Sequence, residues 1–396
     1  MPADTGRILL VEDNLVARLT AVRVLDQQGH TVVEAYNGQE ALTRLHAEPF
    51  DLVLLDVLMP ELDGFETLAR IKQDPNLRHL PVIMITAVDD MESVVRCIEL
   101  GADDYLPKPF NPTLLQARLS ASLEKKRLRD QEQLYLKGLE REFEIARDIQ
   151  VGFLPDTLPS WPGWEIAAQL QPAREVAGDF YDVFELPEGR LGLVISDVCD
   201  KGVGAALFMT LFRSLIRAAA NLTFYIGPNG LAAQSEASLL LNTITFTNNY
   251  IARTHGKANM FATMFFGVLN PATGLLSYIN AGHESPLVLN AAELKAELKS
   301  TGPAVGLAPD LPFAVQEIQM AAGDVLFAYT DGLTDAKSPS GEFLGRDRLL
   351  TLLRQPTDSL HKLMKMLDST LATHIADASQ FDDITVLAVR RLSPEE

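Results

Sequence analysis

Hydrophobic and polar positions alternate in three different ways along this chain. Up to about Arg118, short apolar runs at Ile8 to Val11, Thr31 to Ala35, Leu52 to Leu55 and Val82 to Ile85 are separated by longer segments of helical period. That alternation predicts a parallel sheet with helices on both faces, a doubly wound α/β domain. From Thr113 to Leu154 the background becomes Lys, Arg, Glu, Asp and Gln, interrupted by Leu119, Leu123, Leu128, Leu136, Leu139, Phe143, Ala146, Ile149 and Phe153. From Leu136 onward the apolar steps are three or four residues, the spacing of one helical face. Only Gly138 and Gly152 fall between Asn111-Pro112 and Leu154-Pro155, so one helix of roughly 60 Å is expected. A helix that long cannot bury a narrow stripe against its own domain along its whole length. Its expected partner is the same helix in a second copy, giving a coiled-coil homodimer. The other reading is a solvated, partly helical tether, because the heptads before Leu134 are loose. After Pro155 the pattern changes again, to Gly-punctuated apolar runs with aspartates at their ends.

Composition narrows the classes of function. With 396 residues and 47% hydrophobic content, two or three domains with substantial cores are expected. A net charge of -19 with no basic stripe argues against a nucleic-acid or anionic-membrane surface, and suits a protein that collects divalent cations. Cys97 and Cys199 form neither a disulfide framework nor a metal-ligand set, which points to a reducing, cytoplasmic setting. No signal-peptide pattern and no long uninterrupted apolar run is evident, so no membrane association is expected. The apolar stretch Leu207 to Leu215 is cut by Arg213 and followed by Arg217, which predicts a buried helix.

In a doubly wound sheet, ligands gather at the carboxyl ends of the strands. The first block places Glu12-Asp13, Asp56, Thr86 and Lys108 at those ends. Carboxylates with one lysine and one hydroxyl make a site for a hard cation and a phosphoryl group: the acids hold Mg²⁺ and Lys108 neutralises a phosphoryl oxygen. Asp56 is the expected nucleophile, accepting the phosphoryl group as an acyl phosphate. The runs Leu9-Leu10-Val11-Glu12-Asp13, Leu55-Asp56-Val57-Leu58-Met59-Pro60, Ile85-Thr86-Ala87 and Lys108-Pro109-Phe110 resemble the response-regulator receiver domain over its full length. The resemblance implies a flavodoxin-like fold, Asp56 as phospho-acceptor and Glu12, Asp13 and Asp56 around Mg²⁺. It also implies Thr86 and Lys108 as phosphoryl contacts, Tyr105 as rotamer switch and a cis Lys108-Pro109 bond.

In the second block Asp179 to Asp182 place acids after a small-residue approach, Asp197 and Asp331-Gly332 each end an apolar strand, and Asp382-Asp383 directly precede the last strand. Carboxylates at core-strand ends are costly unless cations compensate them. Without His or Cys at metal spacing, the ions should be hard, Mg²⁺ or Mn²⁺. Two such ions can activate a water and steady an in-line phosphoryl displacement. The constellation resembles the metal-dependent type 2C protein phosphatases, in their bacterial SpoIIE/RsbU-like branch, over roughly Glu140 to Val389. That resemblance implies an α+β fold, a β-sandwich flanked by helices. It also implies two Mn²⁺ or Mg²⁺ held by Asp179, Asp197 with the Val198 carbonyl, Asp331 and Asp382, with Asp383 behind them.

Asp200 stands where the family usually has Gly. Cys199 reads as a redox group or, more simply, as a small buried residue. Arg174 reads as a phosphate clamp or a surface arginine, and His283 as a proton-transfer assistant or a turn-bracing residue. Asn221 to Gly230 reads as a loop between helices.

The expected organisation is a receiver at 1–122, a helical coiled-coil linker at 123–154 and a phosphatase domain at 155–396. A sensor histidine kinase or phosphotransfer protein would phosphorylate Asp56. By resemblance, the substrate would be a phosphorylated STAS-type anti-sigma factor antagonist in a partner-switching pathway. Linker residues Ala146 to Phe153 would press on the catalytic loops. The alternative is a phosphatase-fold adaptor that binds a partner under receiver control.

Overall fold

The computed structural model describes residues 5–87, 91–109, 111–155, 157–225, 235–290 and 293–393. Contacts divide the chain into two units, Met1–Glu140 and Arg141–Glu396.

The first unit runs β1 (Arg7–Val11), α1 (Leu15–Gln27), β2 (Thr31–Ala35), α2 (Gly38–Ala47), β3 (Leu52–Asp56), α3 (Gly64–Gln73), β4 (Val82–Ala87), α4 (Met91–Glu99), β5 (Asp104–Lys108) and α5 (Pro112–Val151). All strands are parallel in the order β2-β1-β3-β4-β5. Alternate residues along each strand serve opposite cores. Leu9, Val11, Val53, Leu55 and Met84 meet Ala41, Leu45, Leu68 and Ile71 of α2 and α3. Ile8, Leu10, Leu52, Leu54, Ile83 and Ile85 meet Leu25 of α1 and Leu115, Leu119 and Leu123 of α5. Helix starts are fixed by side-chain caps: the Asn14, Asn37 and Asp63 oxygens accept from the first free backbone N–H groups of α1, α2 and α3.

Helix α5 is a single helix of 40 residues, with Pro112 at its first turn and Asn111 accepting from Thr113 N. The boundary between the two units falls within it. One face of its first turns is buried through Leu115, Leu119 and Leu123, whereas Leu128, Leu134, Tyr135, Leu136, Ile145 and Ile149 are exposed in the single chain.

The second unit contains β6 (Trp164–Gln171), β7 (Phe180–Leu186), β8 (Arg190–Val198), α6 (Val203–Tyr225), α7 (Glu236–Thr254), β9 (Ala262–Asn270), β10 (Leu275–Ala281), β11 (Leu287–Asn290) and β12 (Glu293–Glu297). It continues with β13 (Gln316–Gln319), β14 (Val325–Tyr329), α8 (Asp331–Thr334), α9 (Gly345–Leu353), α10 (Leu360–Ile375) and β15 (Ile384–Arg391). Two antiparallel sheets, β13-β10-β9-β8-β7 and β12-β11-β14-β15-β6, form a sandwich. Its interior holds Trp164, Leu193, Ile195, Phe265, Tyr278, Leu326 and Leu387. Helices α6 and α7 cover the outer face of one sheet through Met209, Phe212, Ile216 and Ile244, and α9 and α10 cover the other through Leu349, Leu363 and Leu367.

The loop expected from Asn221 begins later than the sequence suggested: α6 continues through Tyr225, because Leu215 and Ala220 still face the core. The Gly227, Pro228 and Asn229 part of that reading lies outside the described residues. Among the described residues, Val203–Leu222 is the one helical stretch long and apolar enough to cross a membrane. Its polar interruptions have a structural explanation. Asp182, 1% exposed, accepts from Arg213 Nη2 at 3.2 Å and from Arg217 Nε and Nη2 at 2.9 and 2.8 Å.

Removing one member of a buried ion cluster strands the others, which costs about 3–5 kcal/mol. Asp182→Asn is therefore expected to lower the stability of the second unit by about 3 kcal/mol. Both tryptophans, Trp161 and Trp164, belong to that unit, so urea unfolding followed by tryptophan fluorescence reads it selectively. A change below about 1 kcal/mol would show that the arginines are already satisfied by water.

Candidate functional site

The parallel register sets Asp56 beside Ile85 and Ala87 beside Lys108, which brings the ends of β3, β4 and β5 level. Carboxylate oxygens of Glu12, Asp13 and Asp56 lie within 4.8 Å of one another. Lys108 Nζ bridges Glu12 Oε2 at 2.7 Å and Asp56 Oδ2 at 2.8 Å. Burial raises the Asp56 carboxyl to about 6; Lys108 pulls it down and the Glu12 charge pushes it up again. Thr86 is buried at the end of β4, Tyr105 is half-buried beneath the Arg118 guanidinium, and Lys108-Pro109 is cis. Phe110 lies outside the described residues. Gly64 permits α3 to start against the acid's own backbone, since a Cβ there would lie 2.1 Å from the Asp56 carbonyl oxygen.

One residue here was not evident from spacing. Arg18, 8% exposed, donates from Nη1 to the Glu12 and Asp13 carbonyls at 3.1 and 3.2 Å and from Nε to Glu34 at 2.9 Å. Its guanidinium fixes the turn that carries two of the acids. The signal lay in its position on the inward face of α1, one turn after the Asn14 cap.

At one end of the sandwich both sheets terminate in acids. Asp179 precedes β7, Asp197 and Val198 close β8, Asp331 opens α8 just after β14, and Asp382 and Asp383 precede β15. The sheets are tied at this end because Thr385 Oγ1 donates to Asp179 Oδ2 at 2.7 Å, while Thr385 N donates to Thr330 Oγ1 at 3.0 Å within its own sheet. Burial, then the Asp331 and Asp382 charges, raises Asp197 to about 7. Burial and the Asp197 charge push Asp179 well above the carboxylate range, and burial followed by the Asp382 charge raises Asp331. These acids face one another closely enough to repel, and they offer only oxygen donors. That set fits hard divalent cations such as Mg²⁺ or Mn²⁺ and not a thiophilic metal.

Asp383 shares in this repulsion and also organises backbone. Its carboxylate accepts from Ala173 N at 2.7 Å, Gly178 N at 2.6 Å and Asp179 N at 3.4 Å, bracing the loop that carries exposed Arg174. Gly332 makes α8 possible here, since a Cβ would sit 2.0 Å from the Asp383 carbonyl oxygen.

Asp200 has φ +73°, the left-handed region in which Gly is least strained. The sequence departure therefore falls on a position with a backbone requirement that Asp meets better than most residues. Cys199 is half-buried, accepts from Phe261 N at 3.2 Å, and has its thiol raised by burial, away from thiolate chemistry. His283 is 5% exposed, with Nδ1 2.9 Å from Thr263 Oγ1 and its backbone N–H donating to Asn280 Oδ1 at 2.8 Å. Burial lowers its ring to about 4, so it is neutral near pH 7.

Two further contacts escaped sequence reasoning. Lys201 Nζ lies 2.8 Å from Asp382 Oδ2, an internal cation on one of the cluster acids. Gln150, near the end of α5 and 6% exposed, donates from Nε2 to the Ala177 carbonyl at 2.6 Å and accepts from Ala177 N at 2.9 Å. The last turn of α5 thus grips the backbone two residues before Asp179.

Comparison with known proteins matches residues 187–392 to the family Stage II sporulation protein E (SpoIIE) and residues 8–120 to the response regulator receiver domain. The SpoIIE match takes in Asp197, Asp331 and Asp382 and begins after Asp179. Protein IcfG of Synechocystis is 45% identical over 262 residues, 63% of this chain but 41% of that protein. This chain therefore spans less than half the length of that relative. Transcriptional regulatory protein CpxR of Escherichia coli is 41% identical over 191 residues, 48% of this chain and 76% of that protein. Among solved structures, the SiaA-PP2C domain of Pseudomonas aeruginosa matches with TM-score 0.52 and 25% identity, over 65% of this chain and 98% of that domain.

Mutual repulsion gives the acid cluster a pH signature when divalent cations are chelated. Asp197 binds its proton more tightly folded, at about 7, than unfolded, near 3.8. Its contribution to stability is therefore full below about pH 4 and lost as pH rises through 7. In EDTA at about pH 8, Asp197→Asn is expected to melt at least about 3 °C above wild type, with the gap closing towards about pH 5. A melting difference that does not vary with pH would mean that the carboxylates are not crowded.

Proposed function

We propose, on the premise that this chain belongs to the SpoIIE family and carries a response regulator receiver domain ahead of the family's segment, that it is a cytoplasmic response regulator whose output is dephosphorylation of phosphoserine or phosphothreonine on a protein. The observation that carries the reading is the convergence of acids from both sheets at one end of the sandwich, on a fold like that of the SiaA-PP2C domain. Asp179, Asp197 with the Val198 carbonyl, Asp331 and Asp382 would hold two Mn²⁺ or Mg²⁺. Such ions, when bound, supply a water nucleophile near neutral pH and steady the oxygens of an in-line displacement.

The remaining work falls to the protein. Asp383 and Thr385 fix Asp179 by hydrogen bonds, and neutral His283 holds Thr263, the residue opposite Asp197 in the sheet. Arg174, in the braced loop, is the proposed clamp for substrate phosphate. In the receiver, Asp56 accepts the phosphoryl group from a sensor kinase or phosphotransfer protein while Glu12 and Asp13 hold Mg²⁺. Lys108 and Thr86 bind the transferred oxygens, and Tyr105 responds. The substrate proposed from the family is a STAS-type anti-sigma factor antagonist, and the exposed stripe of α5 supports pairing with a second copy. Gln150 supports a coupling route, because any shift of the last turn of α5 must move or break its two bonds to Ala177.

Lys201 on Asp382 favours a second reading, an adaptor whose internal cation replaces part of the metal charge. Calorimetric titration separates the two, since an enzyme binds two Mn²⁺ ions and an adaptor need not.

The deciding assay is phosphate release from a phosphoserine-bearing STAS protein with Mn²⁺, with and without an acyl-phosphate mimic at Asp56. Asp197→Asn is expected to cut turnover at least about 100-fold. Gln150→Ala is expected to retain Mn²⁺ binding but to lose most of the response to the mimic. Equal response in wild type and Gln150→Ala would rule out the coupling route, and absence of turnover in every state would favour the adaptor.

A further inference from the structure

Phe381, the residue before Asp382, is 56% exposed, and Phe343 is 53% exposed. Singly exposed hydrophobics are ordinary, but these two share cations. Lys201 Nζ lies 4.2 Å from the Phe381 ring centroid, while Lys337 Nζ lies 4.5 Å from that ring and 5.1 Å from the ring of Phe343. Lys337 and Phe343 face each other across an antiparallel bridge that closes a turn, with Ser338 N donating to the Glu342 carbonyl at 2.9 Å. That turn follows α8, which opens on Asp331. On the other side, Lys201 donates to the Phe381 carbonyl at 2.8 Å and meets Asp382 at 2.8 Å. Two lysines and two phenylalanines therefore form one patch joined to the acid cluster.

The charges in this patch are unequally satisfied. Lys201 is paired with Asp382, whereas Lys337 has no carboxylate within ion-pair distance among the described residues, in a chain of net charge -19. A cation held over two exposed rings and left without a counter-ion is suited to an anion from outside. The rings beside it offer apolar surface to whatever flanks that anion.

We propose that Lys201, Lys337, Phe343 and Phe381 form the docking rim for the phosphorylated segment of a protein substrate. A carboxylate flanking the phosphorylated residue is taken by Lys337, and an apolar neighbour lies against the two rings. The inference rests on the phosphatase reading and specifies what that site recognises. Charge supports this occupant: an acidic segment approaching a cluster of aspartates needs positive charge beside it, and this patch supplies it. A second copy of the chain fits less well, since two rings and two lysines offer far less than the roughly 800 Å² per partner of a stable interface.

The test uses the full chain and a short synthetic phosphoserine peptide with glutamate and leucine beside the phosphoserine. In the Asp197→Asn background with Mn²⁺, fluorescence anisotropy reads peptide binding independently of turnover. Adding Lys337→Glu or Phe343→Ala is expected to weaken binding by roughly tenfold for the charge reversal and about threefold for the truncation. In the otherwise wild-type chain, the same changes are expected to raise KM for the peptide by similar factors. They should leave kcat, and the hydrolysis of p-nitrophenyl phosphate, within about twofold. Unchanged peptide binding overturns the rim. A parallel loss on p-nitrophenyl phosphate overturns it too, because the effect would then be structural. So does a shift in sedimentation at assay concentration, which would assign the patch to self-association. If peptide binding responds as expected but the wild type releases no phosphate, the rim stands as a recognition surface and it is the enzymatic reading that fails.

Discussion

Carboxylates gathered at the ends of buried strands repel one another, and both units are arranged around that repulsion. Two like charges about 5 Å apart cost on the order of 3 kcal/mol at an effective dielectric near 20. The first unit compensates internally: Lys108 reaches two of its acids, so Asp56 is raised only to about 6 despite its burial. The second unit has more acids and a weaker internal remedy. Among these acids Lys201 touches Asp382 alone; burial, with the neighbouring charges, raises Asp197 to about 7 and pushes Asp179 upward as well. The unit therefore carries an unmet demand for positive charge at one end of its sandwich, which a hard divalent cation would answer.

Holding such groups in place requires a stiff backbone, and the same devices recur in both units. A glycine lets a helix begin in contact with the peptide that follows an acid, Gly64 at the Asp56 carbonyl and Gly332 at the Asp383 carbonyl. A buried polar side chain then ties down the loop that bears another acid. Arg18 does so by donating to the Glu12 and Asp13 carbonyls, and Asp383 does so by accepting from Ala173, Gly178 and Asp179. The chemistry of the two tethers is opposite and their effect is the same: the carboxylates cannot relax apart when they are charged.

The strand-then-acid pattern was legible in the sequence because the chemistry sits at strand ends, where a local run of apolar residues and the acid after it are contiguous. Glu12, Asp56, Asp197 and Asp331 each end or follow such a run and Asp382 lies just before one, while the single long helix was legible from its three- and four-residue apolar spacing. What could not be read depends on contacts between distant positions. Asp182 looked like a companion of Asp179, but strand alternation sends it to the opposite face, where Arg213 and Arg217 meet it. Lys201 finds Asp382, and Gln150 finds Ala177, with no periodic signal to announce either. The end of α6 was misplaced because Asn221 and the glycine and proline beyond it resemble a turn, whereas burial of Ala220 keeps the helix going.

The neutrality of Gln150 has its own physical consequence. A charged residue at that position, in contact with the loop of Asp179, would alter the electrostatics of the acid cluster whenever it moved. An amide exchanges one donor and one acceptor with a single peptide and adds no net charge. On the proposed coupling route, it would pass on a shift of the helix without adding charge to the site. Two buried hydrogen bonds of this kind contribute about 1–3 kcal/mol, because breaking them leaves desolvated groups unpaired. That is enough to bias a two-state loop by roughly five- to a hundredfold, and small enough for a twist at the end of a helix to reverse. A stronger ionic tether would lock the Asp179 loop in one state, and a purely apolar contact would let the helix slide without registering where the loop is.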